Sequence, residues 1–153
     1  MKVLISAMSL LFAANAYAAC PNLIGTFMCE VQGESGQLAI AQKVDKGTTI
    51  YTFTVDPKFA SFIAGGDLIA DGKPHATPAS KYLKNGTYVA TCRTANLGLD
   101  VKGDVLDDTG AVLANIDIKT SLSTKPGMLI VGATGTLNGD DIGNQSLECK
   151  KIK

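Results

Sequence analysis

The chain contains a single histidine, His75, and acid–base or nucleophilic chemistry of the common triad type needs such a base beside a serine or cysteine. His75 follows Pro74 in a stretch of turn-forming residues, where a solvated loop residue is the expected reading. No Gly-x-Ser-x-Gly, His-Glu-x-x-His or Gly-x-x-x-x-Gly-Lys stretch occurs, so the usual routes to an activated serine, a bound zinc or a cradled phosphate are missing. No catalytic residue is assigned, and the chain reads as non-enzymatic.

Its four cysteines, Cys20, Cys29, Cys92 and Cys149, are the next candidates for chemistry. None lies two to four residues from another, the spacing structural zinc sites use. An even number in an exported chain points instead to two disulfides. Three pairings are possible; the expected one joins Cys20 to Cys29, close in sequence, and Cys92 to Cys149, closing a long loop worth roughly 4 kcal/mol in the chain-entropy model. Asp104, Asp107 and Asp108, and again Asp140 and Asp141 near Asn138 and Asn144, offer oxygen ligands. Neither group follows a calcium-loop pattern, and Asp and Asn suit turns. No metal or cofactor is therefore expected. Asn85-Gly86-Thr87 and Asn144-Gln145-Ser146 fit the glycosylation pattern, although Asn-Gly is also a hairpin turn in its own right. Finally, Tyr51, Phe53, Phe59, Phe62, Tyr82 and Tyr88 could line a pocket for an apolar ligand, the alternative being ordinary core packing.

Export is read from the N-terminus. Lys2, an apolar run over residues 3–14 and the small residues of Ala16-Tyr17-Ala18 make a signal peptide cleaved after Ala18. The run is too short for the roughly 20 residues of a spanning helix. Tyr17 stands where a lipid-attachment signal wants a leucine-like residue, so Cys20 is read as a disulfide partner and not as a lipid anchor. The remaining residues, 19–153, suit one domain. Removing Lys2 leaves a net charge of about −1 with Arg93 as the only arginine, a balance that attracts neither nucleic acid nor an anionic membrane. A secreted or periplasmic soluble domain is expected.

The elements that must carry these residues are strands. Leu97, Leu99, Val101 and Val105 alternate with Asp100, Lys102 and Asp104; after the turn at 107–110, Ala114, Ile116, Ile118 and Leu122 do the same against Asn115, Asp117, Lys119 and Ser121. Period two over such lengths means half-buried strands in a hairpin. Lys125-Pro126-Gly127 reverses the chain into Leu129, Val131, Ala133 and Leu137, and a last strand holds Leu147 and Cys149. In the N-terminal half, Leu23, Phe27, Cys29 and Val31, then Leu38, Ile40 and Val44, then Tyr51, Phe53 and Val55 repeat the pattern. Asp56-Pro57 reads as a helix start before Phe59, Phe62 and Ile63. That short helix would stop at Gly65-Gly66, followed by a short strand at 67–70, a proline-containing loop, and a strand at 87–94 opened by Asn85-Gly86. About nine strands on short connections predict an all-β fold, an antiparallel up-and-down barrel of about 8–10 strands. A two-sheet sandwich is the alternative, since alternation alone does not separate the two.

Gly25-Thr26-Phe27, on the first strand, resembles the Gly-x-Trp signature that opens lipocalin and calycin barrels, with Phe27 at the aromatic position. In those barrels a basic residue of the last strand packs on the ring, which makes Lys150 or Lys151 its counterpart. The avidin opening is similar too, but its biotin pocket uses tryptophans and this chain has none. The resemblance implies a barrel that holds a small apolar or amphipathic ligand. Two rival readings stay open: a protein-binding module, such as a periplasmic hydrolase inhibitor, inserting the 73–84 loop so that Lys81, Tyr82 and Lys84 reach the partner, and a structural envelope component. Interior volume separates them, because only a carrier needs a hollow.

Overall fold

The computed structural model describes residues 19–57 and 65–153. The expected signal peptide, Phe59, Phe62 and the body of the expected helix lie outside the described residues. The strands are β1 (Gly25–Val31), β2 (Glu34–Asp45), β3 (Thr48–Val55), β4 (Gly66–Ala70), β5 (Pro74–Ala76), β6 (Leu83–Cys92), β7 (Leu97–Leu106), β8 (Val112–Lys125), β9 (Met128–Leu137), β10 (Asp140–Asp141) and β11 (Gln145–Lys151). They hydrogen-bond in the order β4-β3-β2-β1-β11-β9-β8-β7-β6-β5, with β10 folded back on the end of β9. Each neighbouring pair is antiparallel. The two ends of that order, β4 and β5, are consecutive in the chain. The sheet is thus a nearly closed barrel in which the first strand meets the last.

Direction alternates around the ring, so the connections alternate between its two ends. One end is packed solid. Leu23, Phe27, Tyr51, Leu97 and Leu129 are fully buried there, and the arm before β1 lies across them, held by the Tyr51 hydroxyl, which donates to the Pro21 carbonyl at 2.7 Å. Lys151 is the Cα partner of Phe27. Its ammonium donates to the Ile24 carbonyl at 3.2 Å, and its Cε and the tip of the Phe27 ring both lie within about 3 Å of where a Cβ on Gly25 would stand. A side chain at 25 would have to displace the Lys151 stem or press on the Phe27 ring, so glycine suits that crossing. The nearly closed antiparallel barrel is compatible with a lipocalin-like fold.

Burial pushes the Tyr51 phenol up from its ordinary value of 10.0 to about 12. The folded state therefore keeps a proton that the unfolded chain releases. This contribution to stability is complete below pH 10 and is lost as the pH climbs from there toward about 12. Denaturant midpoints measured across that window should fall steeply for the wild type. Tyr51→Phe should flatten the slope while costing about 1 kcal/mol at neutral pH for the lost hydrogen bond.

The disulfides join Cys20 to Cys92 and Cys29 to Cys149, which corrects the pairing expected from sequence proximity. Eight residues lie between Cys20 and Cys29, but the arm is held at the packed end through Pro21, while β1 runs extended from Gly25 and carries Cys29 about 13 Å along the barrel at 3.3 Å per residue, beyond the roughly 7 Å that a disulfide tolerates between Cα atoms. Ring closure instead sets Cys29 directly opposite Cys149 across β1 and β11. Cys20, on the arm, meets Cys92 where β6 ends at the packed end of the barrel. A lipid on the Cys20 sulfur would be incompatible with this bridge.

Three local readings also change. Val44 is 69 % exposed, because β2 runs past the core toward its turn, so the inward set on that strand ends before it. The strand expected at 87–94 begins at Leu83 and ends at Cys92, and Asn85-Gly86 occupies a bulge inside it, where the register with β7 shifts. The 73–84 loop is shorter than expected, since Pro74–Ala76 and Leu83 onward are strand.

Candidate functional site

The other half of the barrel is hollow. A cavity of about 690 Å³ lies among the inward positions of β6 to β9 and the ends of β1 and β11. Its walls are aliphatic: Leu99 and Val101 on β7, Ile116 and Ile118 on β8, Val131 and Ala133 on β9. Phe53, Leu68 and Tyr88 also line it. Exposed residues that also line it, Gln32 on the β1–β2 turn and Gln145 and Ser146 at the start of β11, bring it to solvent at the end opposite the packed one. The hollow follows from geometry. A circumference of ten strands is wide, and across β7 to β9 the inward side chains are valine, isoleucine, leucine, threonine, alanine and glycine, with no aromatic among them. Short side chains on a wide ring do not meet in the middle.

Of the residues expected to line a pocket, Phe53, Tyr82 and Tyr88 do so. Tyr51 lies in the packed end, away from the cavity, and Phe59 and Phe62 fall outside the described residues. The loop residues part company as well. Tyr82 turns toward the cavity, Lys81 is exposed with its ammonium 4.5 Å above the Tyr82 ring, and Lys84 is on β6. Hydrogen bonding to the Tyr82 hydroxyl holds the Lys81 ammonium above its usual pKa. The aliphatic wall is not among the pocket residues that the sequence suggests, although its lack of bulky inward side chains is the sequence signal for a wide interior.

His75 is a strand residue, not the solvated loop residue expected. Its Nε2 lies 2.8 Å from Asp71 Oδ1, and its ring stacks on Tyr88 with centroids 5.4 Å apart. Hydrogen bonding to His75 holds the Asp71 carboxyl below the usual carboxylate range. This group sits on the one seam of the barrel. β4 and β5 share no ladder; instead the Gly72 amide donates to the Ala90 carbonyl at 3.0 Å and the Ile69 amide donates to the Tyr88 hydroxyl at 2.9 Å. A cavity-lining side chain therefore occupies a backbone donor that the open edge of β4 would otherwise leave unpaired. Tyr88→Phe should cost about 1–3 kcal/mol, as a half-buried amide loses its partner. Hydrogen exchange at the Ile69 amide should accelerate more than at amides of β8, which a merely global loss of stability would not produce.

Asp107 illustrates what the acidic groups do. Its carboxylate accepts from the Thr109 amide at 2.8 Å, the Thr109 hydroxyl at 2.6 Å and the Ala111 amide at 2.9 Å, and these bonds hold its pKa low, the Thr109 side chain foremost. It shapes the β7–β8 turn.

No protein-family model, curated protein sequence or solved structure matches this chain. The functional reading therefore rests on the cavity.

Proposed function

We propose that the protein is a non-catalytic exported carrier that encloses one small apolar or amphipathic molecule inside its barrel. The observation that carries this reading is the aliphatic cavity of about 690 Å³, within the range of roughly 300–1,000 Å³ typical of small-molecule sites. An empty apolar void of that size forfeits packing that a filled interior would keep, and a ligand restores those contacts. Two disulfides agree with an extracellular or periplasmic location. Tyr82, turned toward the cavity and not presented outward, favours the carrier over a loop-inserting inhibitor.

The test is occupancy. Titration with an uncharged fluorescent apolar probe, N-phenylnaphthylamine, should saturate at one per chain, and native mass spectrometry of protein from its own compartment should show a bound mass. A barrel that takes up no apolar probe and carries no adduct would exclude the carrier. Capture of an envelope hydrolase that is lost when residues 77–82 are replaced would establish the inhibitor reading instead.

A further inference from the structure

The net charge of the chain is zero with the leader counted, yet the fold sorts the charges by barrel end. Connections at the cavity end carry Glu30 and Glu34 around the β1–β2 turn, Asp107 and Asp108 in the β7–β8 turn, and Asp140 and Asp141 after β9. Among the described residues, Lys81 and Lys84 are the cations of that end. The packed end is the reverse: Lys43 and Lys46 flank the β2–β3 turn, Lys73 follows β4, Arg93 follows β6, and Lys125 and Lys151 close β8 and β11, against Asp45, Asp71 and Glu148. At the mouth of the cavity, Glu30 is the only ionisable acid or base apart from tyrosine among the described lining residues.

Resting on the carrier reading, we infer that the ligand is a cationic amphiphile, its apolar body in the cavity and its positive head at the acidic rim. Two effects act in the same direction. Low-dielectric walls focus the negative potential of the rim onto the opening, which concentrates cations there. An anionic head drawn inside meets no lysine or arginine among the described lining residues, and burying an unpaired charge is costly; at the rim, Lys81 and Lys84 are outnumbered by the six carboxylates. An uncharged head gains nothing from the field and loses nothing to it.

The experiment compares three ligands with one tail: decyltrimethylammonium, decanol and decanoate, each displacing N-phenylnaphthylamine from the purified protein at low salt. The ammonium should bind at least several-fold tighter than decanol and at least tenfold tighter than decanoate. Its advantage should shrink at about 0.5 M salt, where screening acts over only a few ångströms. Glu30→Lys with Glu34→Lys, both exposed and on the rim, should narrow the preference at least threefold while circular dichroism stays unchanged. The inference falls if the ammonium binds no tighter than decanol or decanoate, or if salt and the double variant leave its preference intact; the carrier reading survives those results. If neither N-phenylnaphthylamine nor any of the three binds, the carrier reading itself falls.

Discussion

Removing the Cys29–Cys149 bridge by the double change Cys29→Ala with Cys149→Ala should lower stability by about 4–5 kcal/mol, the largest loss expected from any pair of substitutions in this barrel. The bridge spans a sequence separation of 120, so reduction returns to the unfolded chain nearly all the freedom that the cross-link removes. In the folded state it ties the first strand to the last at a directly opposed, fully buried position. It therefore fastens the closure on which the ring depends. The melting temperature should drop on the order of 15 °C for a domain of this size. Cys20→Ala with Cys92→Ala should cost nearly as much by loop length, its separation being 72, but its damage should be local. The arm would come free, and solvent would reach Leu23 and Tyr51. Hydrogen exchange distinguishes the two, with protection lost around β1 and β11 in the first variant and at the packed end in the second. A loss under about 1 kcal/mol for the first pair would mean that the β1–β11 ladder closes the barrel without help.

Ligand affinity should be lost in Ala133→Trp and kept in Thr134→Trp. The two positions are adjacent on β9 and face opposite ways: Ala133 lines the cavity, whereas Thr134 is exposed. An indole at 133 enters the cavity, next to Thr120, its Cα partner on β8 and also a lining residue. Overpacking penalties arise in filled cores; here the added ring meets a void and gains contacts, so the melting temperature should hold or rise. Affinity for N-phenylnaphthylamine should fall by at least tenfold, about 1.4 kcal/mol. Equal affinity in the two variants would place the binding site outside the barrel.

Strand alternation was legible from residues 97 to 122 almost position by position. Leu99, Val101, Ile116 and Ile118 were assigned to one face, and all four point into the barrel. The C-terminal meander was readable for the same reason: its turns are short, and antiparallel neighbours in sequence become neighbours in space. The seam was much less so. β5 is three residues long, too short for periodicity to register, and His75 was read as loop because the prolines around it resemble turn chemistry. Its actual setting, stacked on Tyr88 and bonded to Asp71, depends on β6 lying alongside.

By itself, then, the sequence determined which side of each long strand is greasy, that the sheet is antiparallel, and that four thiols should pair. Those properties live in residue types and a period of two, which are local. Which cysteine meets which, whether the greasy sides touch or surround a hollow, and how a near-neutral chain becomes acidic at one end and basic at the other were decided by closure of the ring. Closure fixes the circumference, makes strand one the neighbour of strand eleven, and sends alternate turns to opposite ends, and none of these is a property of any single stretch of chain.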